Sequence, residues 1–160
     1  MVARAGHVAG ARVEGLDAAL EALGRARVEQ RTRTAGDEVA ALVAGGSGAL
    51  LDARSAERFE GRVEPLDARA GHVPGARNHP YTRNLRPDGR FLPPDELRAR
   101  LAAVLAGSTP DDAVSMCGSG VTACHTLLAM EIAGLTGARL YGGSWSEWSR
   151  DPARPVATGP

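Results

Sequence analysis

One stretch of this 160-residue chain constrains its fold more than any other. It runs Ala113-Val114-Ser115-Met116, then Cys117-Gly118-Ser119-Gly120, then an apolar-periodic segment from Val121 onward. The first four residues form a short, mostly apolar run of strand length, and residues 121–133 carry apolar side chains at helical spacing. A Gly-Ser-Gly turn joins the two. Strand, tight turn and helix in that order place Cys117 at a strand's carboxyl end, facing a helix amino terminus. Unpaired backbone N–H groups there stabilise negative charge and favour the thiolate. The same groups can hold an anionic substrate. Surroundings of this kind put a cysteine pKa in the range of roughly 3.5–7.5, which marks Cys117 as a nucleophile. The other use of such a cysteine is as a small buried hydrophobe.

The rest of the chain sets that unit in an architecture. Residues 16–24 predict a short amphipathic helix with Leu16, Leu20 and Leu23 on one face, and 25–33 a linker or extended segment. Thr34 is expected to cap a helix with Asp37 in its first turn and Val39, Leu42 and Val43 on its apolar face. Gly45-Gly46-Ser47-Gly48 stops it. Strands are predicted over 49–53 and 76–79, with a helical turn at 55–59 between them and a loop over 85–94 after them. Pro94 suits the first turn of a helix whose apolar face is Leu97, Leu101, Val104 and Leu105. Beyond the Cys117 unit come a strand over 138–141 and a short helix around Trp145 and Trp148. Short strands alternating with helices predict an α/β domain with a mostly parallel sheet. The functional crevice of such a sheet lies at the strands' carboxyl ends, where Cys117 falls.

Composition narrows the partners. Acidic and basic residues balance at 19 each, so net charge gives no support to a nucleic-acid or membrane-surface role. Every basic residue is Arg, which together with abundant Ala and Gly fits a GC-rich coding bias and lowers the weight of any single Arg. No run approaches transmembrane length, and the first 13 residues lack a secretory apolar core. Two cysteines are too few for a disulfide framework. The expectation is a reduced, cytoplasmic protein that binds neither membrane nor nucleic acid. The cysteines and histidines lack ligand spacing, so no metal site is expected.

Four segments, in order, resemble one family. Cys117-Gly-Ser-Gly-Val-Thr-Ala123 resembles the active-site loop of rhodanese-type sulfurtransferases, in the version typical of 3-mercaptopyruvate sulfurtransferases and their bacterial relatives. Leu51-Asp52-Ala53-Arg54-Ser55 with Arg58-Phe59-Glu60-Gly61 is similar to the family's DxRs…RFxG stretch. Gly71-His72-Val73-Pro74-Gly75-Ala76-Arg77-Asn78 resembles its GHIPGAxN signature, and Tyr141-Gly-Gly-Ser-Trp145-Ser-Glu147-Trp148 its closing GSWxEW segment. The resemblance covers residues 31–160 as a catalytic rhodanese-like domain, the carboxyl-terminal half of a tandem enzyme. It implies a five-stranded, mostly parallel sheet with helices on both sides. Residues 1–30 are expected to be an extension, with 13–29 a remnant of a first domain.

The resemblance also implies roles. Cys117 attacks the outer sulfur of a small anionic donor, thiosulfate or 3-mercaptopyruvate. The resulting persulfide passes its sulfur to cyanide, a thiol or a thioredoxin-like protein, and no cofactor is needed. Ser119 is the second catalytic residue, through donation to developing charge or proton relay. In the family its equivalent pairs with an Asp from the first domain. Gly118, Gly120 and Val121 belong to the substrate-binding loop, the glycines letting the backbone curl. Thr122 either caps the new helix or bonds the sulfur. Arg58 aligns with a donor-binding arginine, the alternative being a solvated helix charge. A second such arginine falls at Leu66, which weakens selectivity for mercaptopyruvate. Asp52 and Arg54 are expected to brace the fold as an ion pair, and His72 to bond backbone. Cys124 is expected in the core, with a redox pair to Cys117 as the alternative. Trp145 and Trp148 pack near the site. A cysteine phosphatase of similar fold needs Arg six residues after its cysteine, where this chain has Ala123. The missing half motivates a second reading, a catalytically weak sulfur carrier or protein-binding module, and a homodimer across the surface it left bare.

Overall fold

The computed structural model describes residues 34–46 and 48–160. The expected helix over 16–24, the linker over 25–33, the extension over 1–30 and the placement of Ser47 lie outside the described residues. The elements are α1 (Gly36–Gly45), β1 (Ala49–Asp52), α2 (Ala56–Phe59), β2 (Arg77–Asn78), α3 (Pro94–Leu105), β3 (Ala113–Met116), α4 (Val121–Ile132), β4 (Arg139–Leu140) and α5 (Ser144–Trp148). Short 3-10 turns occupy Tyr81–Asn84 and Pro110–Asp112.

The strands form one parallel sheet in the order β2-β1-β3-β4, with Ala49 opposite Ala113 and Asp52 opposite Met116 at its centre. The five-stranded expectation is corrected to four among the described residues. At the outer edge of β4 the Thr34 N–H donates to the Leu140 carbonyl at 2.9 Å. The chain enters α1 two residues later, and among the described residues this is the one backbone bond to that edge.

β1 and β3 are buried at every residue, as strands covered on both faces must be. Successive side chains go to opposite cores. Leu51 and Ala113 pack with Leu97, Leu101 and Leu105 of α3 and with Ala129 and Met130 of α4. Leu50, Val114 and Met116 pack on the other face with Val39 of α1 and Trp145 and Trp148 of α5. Helices therefore cover both faces, as expected.

One local expectation changes. Thr34 does not cap α1; Ala35 occupies that position without a side-chain bond. The Thr34 backbone is drawn instead toward Leu140. The expected apolar face of α3 holds: Leu97, Leu101 and Leu105 are buried and Val104, partly buried, packs against the same core. Pro94 opens α3, where its missing N–H costs nothing.

Candidate active site

Cys117 follows β3 directly and is buried at 2% exposure, in a small apolar cluster with Ala53, Ala123 and Leu140. The Gly120 N–H donates to its Sγ at 3.1 Å. Gly120 is the residue before α4 and sits at φ +89°, a left-handed conformation that side chains resist. A Cβ there would also come within 3.1 Å of the Gly142 carbonyl oxygen. Glycine thus lets the chain turn sharply enough to aim an amide of the α4 amino terminus at the sulfur. That amide and the helix dipole stabilise negative charge on it.

The backbone of Cys117 is gripped from the first turn of α5. Its N–H donates to Ser144 Oγ at 3.1 Å, and Ser144 Oγ donates onward to the Tyr141 carbonyl at 2.8 Å. Its carbonyl accepts the Trp145 N–H at 3.0 Å, and the Gly118 carbonyl accepts the Ser146 N–H at 2.9 Å. Ser144 is fully buried at φ +52°, a strained position for a residue with a Cβ. Sequence reasoning missed it. Its flanking Gly142-Gly143 was the available signal for an unusual turn.

Arg58 lies beside the loop. A Cβ on Gly118 would meet Arg58 Nη1 at 3.3 Å, so this glycine keeps room for the guanidinium. Arg58 Nη2 donates to Glu64 Oε1 at 2.7 Å and to Asp67 Oδ2 at 3.0 Å, and Nε to Glu64 Oε2 at 3.3 Å. The reading of Arg58 as a solvated charge is set aside, because its side chain is 19% exposed and doubly paired. Asp67 also accepts the Ser146 hydroxyl at 2.5 Å. Burial works to raise the Glu64 carboxyl, but bonds from Arg58 and from the Leu66 and Asp67 amides, with the Arg58 charge, hold it below its ordinary value. Both acids were missed from the sequence, where this segment drew notice only for its lack of a second arginine. Leu66 is 79% exposed.

Ser119 is exposed and its hydroxyl makes no hydrogen bond among the described residues. Val121 is 74% exposed at the mouth of α4. Thr122 is partly buried, and among the described bonds it neither caps α4 nor reaches the sulfur; the cap position is Gly120, without a side-chain bond. Ala123 is fully buried, so no cation occupies the sixth position after Cys117. Cys124 is exposed, not core, because its place on α4 turns it away from the sheet. Burial first, and the charge of Cys117 second, push its thiol up.

The bracing residues behave as the sequence suggested. Arg54 and Asp52 pair at 2.6 Å, both buried, and Arg54 lies 4.5 Å from the centre of a Trp145 ring. His72 Nδ1 donates to the Phe59 carbonyl at 2.8 Å while its ring stacks on Phe59 at 3.7 Å. Both tryptophans are core residues whose ring N–H groups donate to the Arg69 and Pro155 carbonyls. No cluster of metal-ligating side chains occurs among the described residues, and no described helix is long and apolar enough to cross a membrane.

Known proteins resemble this chain in sequence and fold. The rhodanese-like domain family matches residues 35–151. The chain belongs to that family. A Pseudomonas aeruginosa protein named "Probable 3-mercaptopyruvate sulfurtransferase" is 60% identical over 111 residues, which is 69% of this chain and 39% of that protein. The sulfur carrier protein TtuD of Thermus thermophilus is 34% identical over 123 residues, 71% of this chain and 42% of that one. The crystal structure of Tum1 from Saccharomyces cerevisiae superposes with a TM-score of 0.69 at 30% identity, over 81% of this chain and 47% of that one. The chain spans about two fifths of the length of these two curated relatives.

Proposed function

We propose that this rhodanese-like protein is a sulfurtransferase. Cys117 as thiolate attacks the outer sulfur of thiosulfate or the thiol sulfur of 3-mercaptopyruvate. The bond from that sulfur to the donor breaks, sulfite or pyruvate enolate leaves with its electron pair, and a persulfide remains on Cys117. Cyanide, a thiol or a thioredoxin-like protein then attacks the outer sulfur and returns the Cys117 thiolate. The observation that carries this reading is the Gly120 N–H aimed at Cys117 Sγ at 3.1 Å. Arg58 Nη1 beside Gly118 supplies a donor-binding edge, Gly118, Gly120, Val121 and Thr122 supply the loop, and the exposed Ser119 hydroxyl faces developing charge or the enolate. The work is set in a reduced, cytoplasmic compartment. The test is thiocyanate formation from cyanide with each donor; turnover is expected, and Cys117→Ser should abolish it. Turnover that survives Cys117→Ser would end the proposal.

A second reading is a sulfur carrier or protein-binding module with weak turnover. Ser119 without a side-chain partner favours it, as does the likeness to a protein named as a sulfur carrier. Persulfide loading without multiple turnovers would select it. The exposed Leu66 and Val121 support a homodimer or an acceptor protein covering this face. Sedimentation as a monomer at high concentration would remove the dimer.

A further inference from the structure

The charge around Arg58 bears on which donors this site accepts, given the sulfurtransferase reading. The Arg58 guanidinium lies against the loop at Gly118, yet two carboxylates hold it. The side chains of Glu64 and Asp67 are 4% and 7% exposed, so their charges are poorly screened. Arg54 contributes no surplus. It pairs with Asp52 at 2.6 Å and lies 3.4 Å from Glu64. Two guanidinium groups therefore face three carboxylates, and the cluster carries one net negative charge.

What is left for a donor is narrow. Arg58 Nη1 makes no hydrogen bond among the described residues and lies against Gly118. The Gly120 N–H is already on Cys117 Sγ. Leu66, between the two acids in the chain, offers an apolar side chain and has its own amide on Glu64. Nor can Asp67 swing clear of Arg58. Its second oxygen accepts from Ser146, whose N–H holds the Gly118 carbonyl.

We infer that Glu64 and Asp67 act as a charge filter: they leave one cationic edge on Arg58, and the site admits sulfur donors with a single negative charge over those with two. Asp67 is the specificity-determining residue that also ties this edge to the loop.

Two donors with the same sulfur–sulfonyl linkage isolate charge from chemistry. Thiosulfate carries two charges, and methanethiosulfonate replaces one oxygen with a methyl group and carries one. In both, Cys117 thiolate takes the outer sulfur and sulfite or methanesulfinate leaves with the bonding pair, so charge balances. Intrinsic reactivities differ, so the readout is the ratio of kcat/KM for methanethiosulfonate to that for thiosulfate, compared between variants. Asp67→Asn keeps an acceptor for Ser146 and removes one charge. Glu64→Gln keeps an acceptor for Arg58 and removes the other charge. Each should lower the ratio at least fivefold by improving thiosulfate. If both donors turn over and the ratio is indifferent to Glu64→Gln and Asp67→Asn, the filter is wrong and the sulfurtransferase reading stands. If neither donor loads or turns over in wild type, that reading fails and the filter with it.

Discussion

Removing the Ser144 hydroxyl should cost more than a serine after two glycines would suggest. In Ser144→Ala the Cys117 N–H loses its acceptor at 3.1 Å, and the Tyr141 carbonyl loses a donor at 2.8 Å. Ser144 is fully buried, so water cannot replace either bond without rearrangement. A stranded buried N–H costs about 1–3 kcal/mol and a lost neutral bond about 0.5–1.5 kcal/mol. The expected loss is therefore about 2–4 kcal/mol, against a total stability of about 5–15 kcal/mol for a domain. Ser144→Gly removes the same hydroxyl but relieves the left-handed backbone at φ +52°, worth about 1–2 kcal/mol. Glycine's greater freedom when unfolded takes back about 0.5–1 kcal/mol. The glycine variant should thus be the more stable of the two by about 0.5–1 kcal/mol, and both should fall below wild type. Urea unfolding followed by the fluorescence of buried Trp145 and Trp148 measures this directly. Sulfur loading of Cys117 should slow in both variants, because the loop has lost its anchor. Wild-type stability and loading in Ser144→Ala would refute the reasoning.

Acid should weaken the fold in two stages. Burial holds His79 and His125 below the ordinary imidazole value of 6.5, so below it the unfolded chain binds protons that the folded chain refuses. Their contribution is complete above that value and drains as pH falls toward the folded values. Glu64, held below its ordinary value, adds a second loss at lower pH. Melting temperature should fall from about pH 7 to about pH 4; a flat profile would contradict both assignments. Cys124 reports on Cys117. If the charge of Cys117 helps push the Cys124 thiol up, then Cys117→Ser should shift Cys124 alkylation to lower pH, and an unchanged profile would count against that charge.

The fold was largely legible because its signals are local. Apolar runs at 49–53 and 113–116, the Gly-Ser-Gly turn and Pro94 each act within a few residues. The number of strands came from the resemblance and not from a run of residues, and it was the part that changed. Cys117 could be found because its chemistry depends on the turn that follows it. Ser144, Glu64 and Asp67 could not be found that way. Ser144 bonds a residue 27 positions earlier and Asp67 one 79 positions later, while Glu64 meets Arg58 six positions away across a turn that no periodicity announces. Thr34 and Cys124 were misplaced because local capping and helical pattern gave way to where the sheet stands.

The account turns on the sulfur atom of Cys117 accepting a second one. Intact mass spectrometry after brief exposure to thiosulfate or 3-mercaptopyruvate, followed by desalting, tests this most directly. The protein should gain the mass of one sulfur, lost again on adding cyanide, with no gain in Cys117→Ser. A wild-type mass that never changes, or an added sulfur that maps to Cys124, would contradict it.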